Sequence, residues 1–392
     1  MTQCSNNHGI AVDIGTTTIG MALVDRTAGA ILAETGFLNP QKKHGADVAS
    51  RIRYGATREG AKTLGFLVKQ ALLKGIVELE NDVTSIKEIV ISANTTMQYL
   101  FMERETKELG EYPFLMKDAG FQELSFEETF GTIKKEMEEK QMFPKELDEN
   151  VFSLMAHCKV ILLPCISTFV GGDITSGLYY LQFPKEQGAN LLLDLGTNGE
   201  MAISGERGFY GTSVPAGPAF EASLRGQGRR GSALIEWIAR ARCRGQVLAD
   251  GAVARRYENT GIPLEENLVL TQDVLRKIQL AKGALMAGVE LLLKQYEIEP
   301  KELKKVYLAG SFGFHLDVQS AVILGMLPSN FQGKIEIVGN TSLKGAVTCL
   351  CDNDRKVKME QIVEKIQPFN LAETEAFRQL FIERMAFSTI RI

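Results

Sequence analysis

The chain has 392 residues, of which 45% are hydrophobic and 23% charged, and its formal net charge is −4 at pH 7. This length and apolar content predict two or three domains with full-sized cores, as in an α/β protein. The negative net charge and the absence of a Lys/Arg cluster argue against a nucleic-acid partner. No uninterrupted apolar stretch of about 18 residues is present, so we expect no membrane partner.

The amino terminus bears on the compartment of the protein, and the cysteine spacings bear on its cofactors. The first eight residues lack the basic and apolar regions of a signal peptide, which predicts a cytoplasmic protein. The spacings of the six cysteines match neither a ferredoxin nor a zinc pattern. We therefore expect no iron–sulfur cluster in this chain.

The chain opens with three apolar segments separated by turn residues, which predict an antiparallel three-stranded start over 10–14, 19–24 and 30–37. The first turn contains an Asp, a Gly and three hydroxyl residues, namely Asp13, Gly15, Thr16, Thr17 and Thr18. Amides and hydroxyls in such a hairpin can donate to phosphate oxygens, and the carboxylate can hold Mg²⁺ through its water shell. A single hairpin of this kind is more typical of an ordinary turn.

A long helical region reaches to about residue 80, and a buried strand over 87–93 then ends in the polar cluster Asn94-Thr-Thr-Met97. Open α/β sheets bind ligands at such strand ends. Residues 103–157 are rich in Glu, Lys and Phe, and they predict an inserted subdomain or lid outside the main sheet. Another buried strand begins at Lys159, and Asp173 then opens a helix of small residues.

The hairpin pattern occurs a second time, 181 residues after the first. Asp194, Gly196 and Thr197 match Asp13, Gly15 and Thr16, and Asn198 and Gly199 follow in the turn. Two copies predict two similar half-domains that close on one nucleotide.

The remaining elements continue the repeat. A Gly/Pro turn contains Gly217, and an amphipathic helix over 272–295 carries Lys282, interpreted as a solvated lysine or an adenosine contact. A strand from Lys305 then runs into a glycine turn that contains Gly310, Ser311 and Gly313. A last strand is followed by a small-residue helix that begins near Ser342. This order predicts a duplicated α/β fold, with a first lobe over 1–185 and a second over 186–392.

Five segments of the chain resemble the nucleotide site of the actin, sugar kinase and heat-shock chaperone superfamily, whose ribonuclease H-like lobes surround a nucleotide cleft. They are the hairpins at 13–18 and 194–200, the connecting helices beginning at Gly171 and Ser342, and the adenosine segment 308–313. The resemblance implies that ATP and Mg²⁺ bind here. Asp13 and Asp194 are then the metal-holding carboxylates. The hairpin residues contact phosphate, and Gly217, Gly310, Ser311 and Gly313 belong to the cofactor site.

The resemblance also implies that Asp173 is a catalytic residue that orients the attacking water. An Asp that opens a helix is equally well explained as an N-cap. Both interpretations stay open at the level of the sequence.

Within this superfamily the chain is similar to the reductive activators of corrinoid proteins. The similar stretches include 39–52, 94–97, 169–173, 194–200, 216–221, 280–284 and 338–341. This resemblance implies ATP-driven reduction of Co(II) to Co(I) on a corrinoid methyl-transfer protein. Such activators normally carry an iron–sulfur domain, whereas this sequence begins at the first hairpin and has no cluster motif. A separate ferredoxin-like electron donor is therefore expected, and a homodimer is compatible with the sequence.

Three other functions fit the same fold. In a small-molecule kinase, Asp173 would be the base for a substrate hydroxyl. An activator of 2-hydroxyacyl-CoA dehydratases would need cysteines for a cluster between two subunits, and no suitable pair is visible. A nucleotide-regulated binding module would bind ATP with little turnover.

Overall fold

The computed structural model describes residues 7–140, 150–185, 187–216, 231–264, 269–371 and 374–387. The strands are β1 (His8–Ile14), β2 (Thr18–Asp25), β3 (Ala30–Leu38), β4 (Ile86–Ala93), β5 (Gln122–Ser125), β6 (Lys159–Leu162), β7 (Ala189–Leu195), β8 (Gly199–Gly205), β9 (Gly208–Val214), β10 (Ile262–Pro263), β11 (Val269–Leu270), β12 (Leu303–Ala309), β13 (Ile335–Gly339) and β14 (Gln367–Pro368). The helices are α1 (Val48–Tyr54), α2 (Arg58–Leu79), α3 (Thr95–Phe101), α4 (Lys107–Gly110), α5 (Phe126–Lys140), α6 (Val151–Leu154), α7 (Gly172–Tyr180), α8 (Gly231–Cys243), α9 (Gln272–Gln295), α10 (Gly310–His315), α11 (Val318–Ile323), α12 (Thr341–Cys351), α13 (Arg355–Lys365) and α14 (Glu375–Glu383). None of the helices within these ranges combines the length and apolarity that a bilayer-spanning segment requires.

The chain divides into two compact units, each built from two stretches of sequence. The first unit comprises Met1–Phe183 and Thr341–Lys365, and the second comprises Pro184–Asn340 and Ile366–Ile392. The sequence-based division placed all of 186–392 in the second lobe, and the structure corrects this for 341–365. That segment belongs to the first unit because α12 packs directly on α7.

The first unit contains a six-stranded sheet in the order β3-β2-β1-β4-β6-β5. The pairs β1–β2 and β2–β3 are antiparallel, which confirms the predicted three-stranded start, whereas β1–β4 and β4–β6 are parallel. Strand β5 pairs antiparallel with β6. The expectation that 103–157 lies outside the main sheet is therefore wrong for β5, whose partner strand lies far away in sequence.

The second unit repeats this topology. Its main sheet has the order β13-β12-β7-β8-β9-β14. The pairs β7–β8 and β8–β9 are antiparallel, and β7–β12 and β12–β13 are parallel. Five strands thus match β6, β4, β1, β2 and β3 in order and direction. This is the duplicated α/β fold that the two hairpin motifs predicted.

The apolar runs of the central strands explain where the two cores lie. Ile10, Val12 and Ile14 of β1 are fully buried in the first unit, and Leu191 and Leu193 of β7 are fully buried in the second. Central strands with parallel neighbours are covered on both faces, so they need such continuous apolar sequences. Each hairpin follows the carboxyl end of one of these rigid strands.

Candidate functional site

The turn of the first hairpin depends on a glycine and is fixed by one asparagine. A Cβ atom on Gly15 would lie 2.7 Å from the Thr18 carbonyl oxygen, so a larger residue would not fit the turn. The Asn39 side-chain amide donates to the Gly15 carbonyl at 2.8 Å, and the Asn39 backbone N–H donates to the Thr17 carbonyl at 2.8 Å. Thr16 is buried, Thr17 half-buried and Thr18 exposed.

The predicted polar cluster after β4 contacts this hairpin. Asn94 is the N-cap of α3, and its side-chain oxygen accepts from the Met97 backbone N–H at 3.0 Å. Its side-chain amide donates to the Thr16 hydroxyl at 3.1 Å. Capping a helix thereby orients the amide group toward the turn of the first hairpin.

Asp13, at the end of β1, is half-buried and accepts a hydrogen bond from another region of the chain. The Ser342 hydroxyl, at the start of α12, donates to Asp13 Oδ1 at 2.7 Å. Ser92 of β4 lies behind it, with its Oγ 2.8 Å from Ser342 Oγ and 3.2 Å from the Gly172 carbonyl oxygen. The Asp13 carboxylate is therefore hydrogen-bonded to the Ser342 hydroxyl, which in turn contacts the Ser92 hydroxyl.

Asp173 lies in the first turn of α7 and is not the N-cap of this helix. The N-cap is Gly171, and Asp173 Oδ1 accepts the backbone N–H of Ile174 at 2.8 Å. Burial, together with the negative charge of Asp13, raises the pKa of Asp173 from 3.8 to about 7. A carboxyl group with this pKa can accept a proton near neutral pH.

Two glycines bring the start of α7 against the strand ends. A Cβ on Gly171 would lie 2.5 Å from the Asn94 Cα, and one on Gly172 would lie 2.9 Å from the Leu163 carbonyl oxygen. These contacts leave no room for side chains. The Gly-Gly-Asp sequence therefore places Asp173 at the same edge of the sheet as Asp13.

In the second unit, the second hairpin meets the predicted adenosine segment. Asp194 is half-buried at the end of β7, opposite the buried Glu200 of β8. Gly310, at the start of α10, has a φ of +82°, and a Cβ on it would lie 2.5 Å from Asp194 Oδ1. The predicted adenosine segment therefore approaches the Asp194 carboxylate with its backbone at Gly310.

Most of the other predicted residues of this unit lie on the same two segments. The Gly196 N–H donates to the Asn198 carbonyl at 3.0 Å across the turn, where Thr197 and Gly199 are buried. In α10, Ser311 is exposed and Gly313 buried. Gly217 lies outside the described residues.

Lys282 has a different role from both of those considered from the sequence. Its side chain is buried, and its ammonium group donates to the backbone carbonyls of Arg384 and Ala386, the latter at 2.7 Å. Burial lowers its pKa to about 8. Lys282 therefore links α9 to the backbone of the segment 384–386.

Three positioning groups were missed by the sequence analysis, namely Asn39, Ser92 and Ser342. Asn39 lies in a stretch that resembles the corrinoid activators and Ser342 in a segment that resembles the superfamily, so only their contacts were unforeseen. Ser92 is an inward-facing residue of a buried strand, and its polarity in an apolar run was the available signal.

Comparison with known proteins agrees with the fold. The family model described as the C-terminal domain of RACo, the ASKHA domain, matches residues 188–234 and 226–392. The model of the RACo middle region matches residues 8–142. ASKHA denotes the acetate and sugar kinase, heat-shock chaperone and actin superfamily, so the actin-like fold prediction is confirmed.

The following individual relatives are proteins named for the activation or reduction of corrinoid proteins. The corrinoid activation enzyme RamQ of Eubacterium limosum is 28% identical, over 86% of this chain and 63% of its own. The [Co(II) methylated amine-specific corrinoid protein] reductase of Methanosarcina barkeri is 20% identical, over 97% of this chain and 77% of its own. A solved reductive activator for corrinoid, iron-sulfur protein superposes with a TM-score of 0.83 at 26% identity, covering 98% of this chain and 67% of that one.

The chain thus spans less than two thirds of the length of RamQ. The two RACo models together match most of the sequence, including both hairpins. The chain belongs to the RACo family, the reductive activators of corrinoid proteins.

Proposed function

We propose that this protein is an ATP-dependent reductive activator that returns a corrinoid protein from Co(II) to Co(I). A ferredoxin-like protein of low potential supplies the single electron that this reduction consumes. The observation that carries the proposal is the pair of carboxyl groups, Asp13 and Asp173, beside a phosphate-type hairpin in a chain of the RACo family.

The residues of each unit fit MgATP by their chemistry. Mg²⁺ prefers carboxylate oxygens and water, and it keeps much of its water shell in proteins. Asp13 and Asp194 are half-buried carboxylates that would hold the hydrated cation. The two hairpins would bind the phosphates, and Gly310, Ser311 and Gly313 would contact the adenosine. Bound Mg²⁺ would neutralise negative charge on the phosphates.

Asp173 is proposed to orient the water that attacks the terminal phosphate and to accept its proton. A general base works best when its pKa is close to the working pH, and Asp173 meets this condition. The rigid Gly171–Gly172 contact with the end of β4 keeps this carboxyl group in place.

ATP is needed because the electron transfer is uphill. For one electron, 59 mV corresponds to about 1.4 kcal/mol, so a gap of about 200 mV costs roughly 5 kcal/mol. ATP can supply this free energy only if the activator, before and after hydrolysis, differs in its affinity for the Co(II) and Co(I) forms of the corrinoid protein. The activator would therefore bind the corrinoid protein differently before and after hydrolysis.

The test is anaerobic absorbance of a Co(II) corrinoid protein mixed with a low-potential reductant, with and without this protein and MgATP. We expect Co(I) to form only when both are present. Asp13→Ala and Asp194→Ala should each lower the rate at least tenfold, whereas Asp273→Ala, an exposed residue of α9, should not.

A lack of ATP-dependent Co(I) formation with several corrinoid proteins would refute the activator proposal. ATP consumption that phosphorylates a small acceptor would then favour the kinase alternative. Tight ATP binding with negligible turnover would favour a nucleotide-regulated binding module.

A further inference from the structure

Ser342 lies where four elements of the first unit meet. It belongs to the first turn of α12, and its hydroxyl contacts Asp13 of β1 at 2.7 Å and Ser92 of β4 at 2.8 Å. The two serines are 5% and 0% exposed, respectively. Hydroxyl groups so well buried are retained in a core only when they are hydrogen-bonded.

The helix α7 fixes the position of Ser342. The Ser176 hydroxyl of α7 donates to the Ser342 carbonyl at 2.7 Å. One turn further along α12, a Cβ on Gly345 would lie only 2.0 Å from the Ser176 carbonyl oxygen, so the two helix backbones are in contact. Because α7 also carries Asp173, the same helix pair determines the positions of Asp173 and of the hydroxyl that holds Asp13.

The direction of the hydrogen bonds follows from the number of protons. Ser342 has one hydroxyl proton, and an ionised Asp13 can only accept it. Ser342 therefore has no proton left for Ser92, whose own single proton faces two acceptors, Ser342 Oγ at 2.8 Å and the Gly172 carbonyl oxygen at 3.2 Å. A donor on one carboxylate oxygen restrains the rotation of that carboxyl group.

We infer that Ser342 is a positioning residue of the MgATP site proposed above, and that its hydroxyl sets the orientation of Asp13 toward the hydrated cation. Ser342 acts through Asp13 and needs no contact with the nucleotide. Its contribution should therefore be confined to binding that depends on the metal ion.

The test is calorimetric ATP binding to the full chain, once with Mg²⁺ and once in EDTA. We expect Ser342→Ala to weaken binding about tenfold or more with Mg²⁺, since partners that orient metal-binding groups typically contribute 10–100-fold. Binding in EDTA should stay within about twofold of the unmodified protein. Thr348→Ala is the matched control, because Thr348 is an exposed residue of the same helix whose hydroxyl donates to the Lys344 carbonyl of that helix.

Ser342→Cys provides a second variant in case the alanine variant does not fold. The thiol nearly preserves the volume but is a weak donor, so a loss confined to Mg²⁺ is again expected. Equal losses with Mg²⁺ and in EDTA, or no loss at all, would overturn the role of Ser342. An unmodified protein that shows no Mg²⁺-dependent ATP binding would instead overturn the proposed function.

Discussion

Replacing Asp173 by Asn should stabilise the first unit, and the gain should increase with pH. Burial and the charge of Asp13 raise the pKa of Asp173 from 3.8 to about 7. One pKa unit corresponds to about 1.36 kcal/mol, so the ionised group costs about 4 kcal/mol above pH 7. Between pH 3.8 and 7 the folded protein keeps a proton that the unfolded chain has lost. Stability therefore falls as pH rises through this window.

The measurement is native-state hydrogen exchange of peptides from β1 and β4, with neither nucleotide nor Mg²⁺ present. Comparing both proteins at the same pH cancels the intrinsic exchange rates. Between pH 5 and pH 8, the stability advantage of Asp173→Asn should grow by about 3 kcal/mol, the value of two pKa units. ATP hydrolysis should fall about 100-fold or more, because Asn cannot accept a proton.

Asp47→Asn is the control with the opposite sign. The Ser50 backbone N–H and hydroxyl hold the pKa of Asp47 below its usual value. That stabilisation is lost only as pH falls below about 4, so the effect of this variant should be constant between pH 5 and pH 8. An advantage of Asp173→Asn that is equally constant over this range would refute the reasoning about burial and charge.

Two further predictions concern the second unit. Gly310→Ala should destabilise this unit by about 1–3 kcal/mol more than Gly333→Ala, because both glycines have positive φ but only Gly310 is packed, against Asp194. Urea unfolding followed by the fluorescence of the single tryptophan, which lies in α8, measures the free energy of unfolding of both variants. Equal losses of stability in the two variants would contradict the prediction. Lys282→Met should accelerate tryptic cleavage after Arg384 at least threefold, because two backbone carbonyls lose their buried donor. Unchanged cleavage would show that Lys282 does not hold this segment.

Sequence patterns predicted the elements whose signals are local. The bounds of α9 agree with its apolar periodicity, and the three strands at the start agree with their alternation and turn residues. The repeated hairpin motif predicted the repeated sheet topology. Each of these features is determined by residues that lie within one element or one turn.

Features that depend on distant segments could not be predicted in this way. Strand β5 has a weak polar sequence, and it becomes a strand because the edge of β6 offers hydrogen-bond partners. The contact between Ser342 and Asp13 joins residues 329 positions apart. The apolar periodicity of α9 could not predict the burial of Lys282, because the segment that contacts its side chain, 384–386, lies about 100 residues further along the chain.

The way the chain passes between its two units affects its biosynthesis. It leaves the first unit after Phe183, returns at Thr341, and leaves again after Lys365. On the ribosome, β1 and β4 therefore emerge long before α12, which supplies Ser342 and the glycine that fits against α7. Neither unit can be expressed intact as one uninterrupted fragment. A nascent chain stopped before Thr341 would lack the hydroxyl that holds Asp13, so the first unit is completed only after 341–365 has been synthesised.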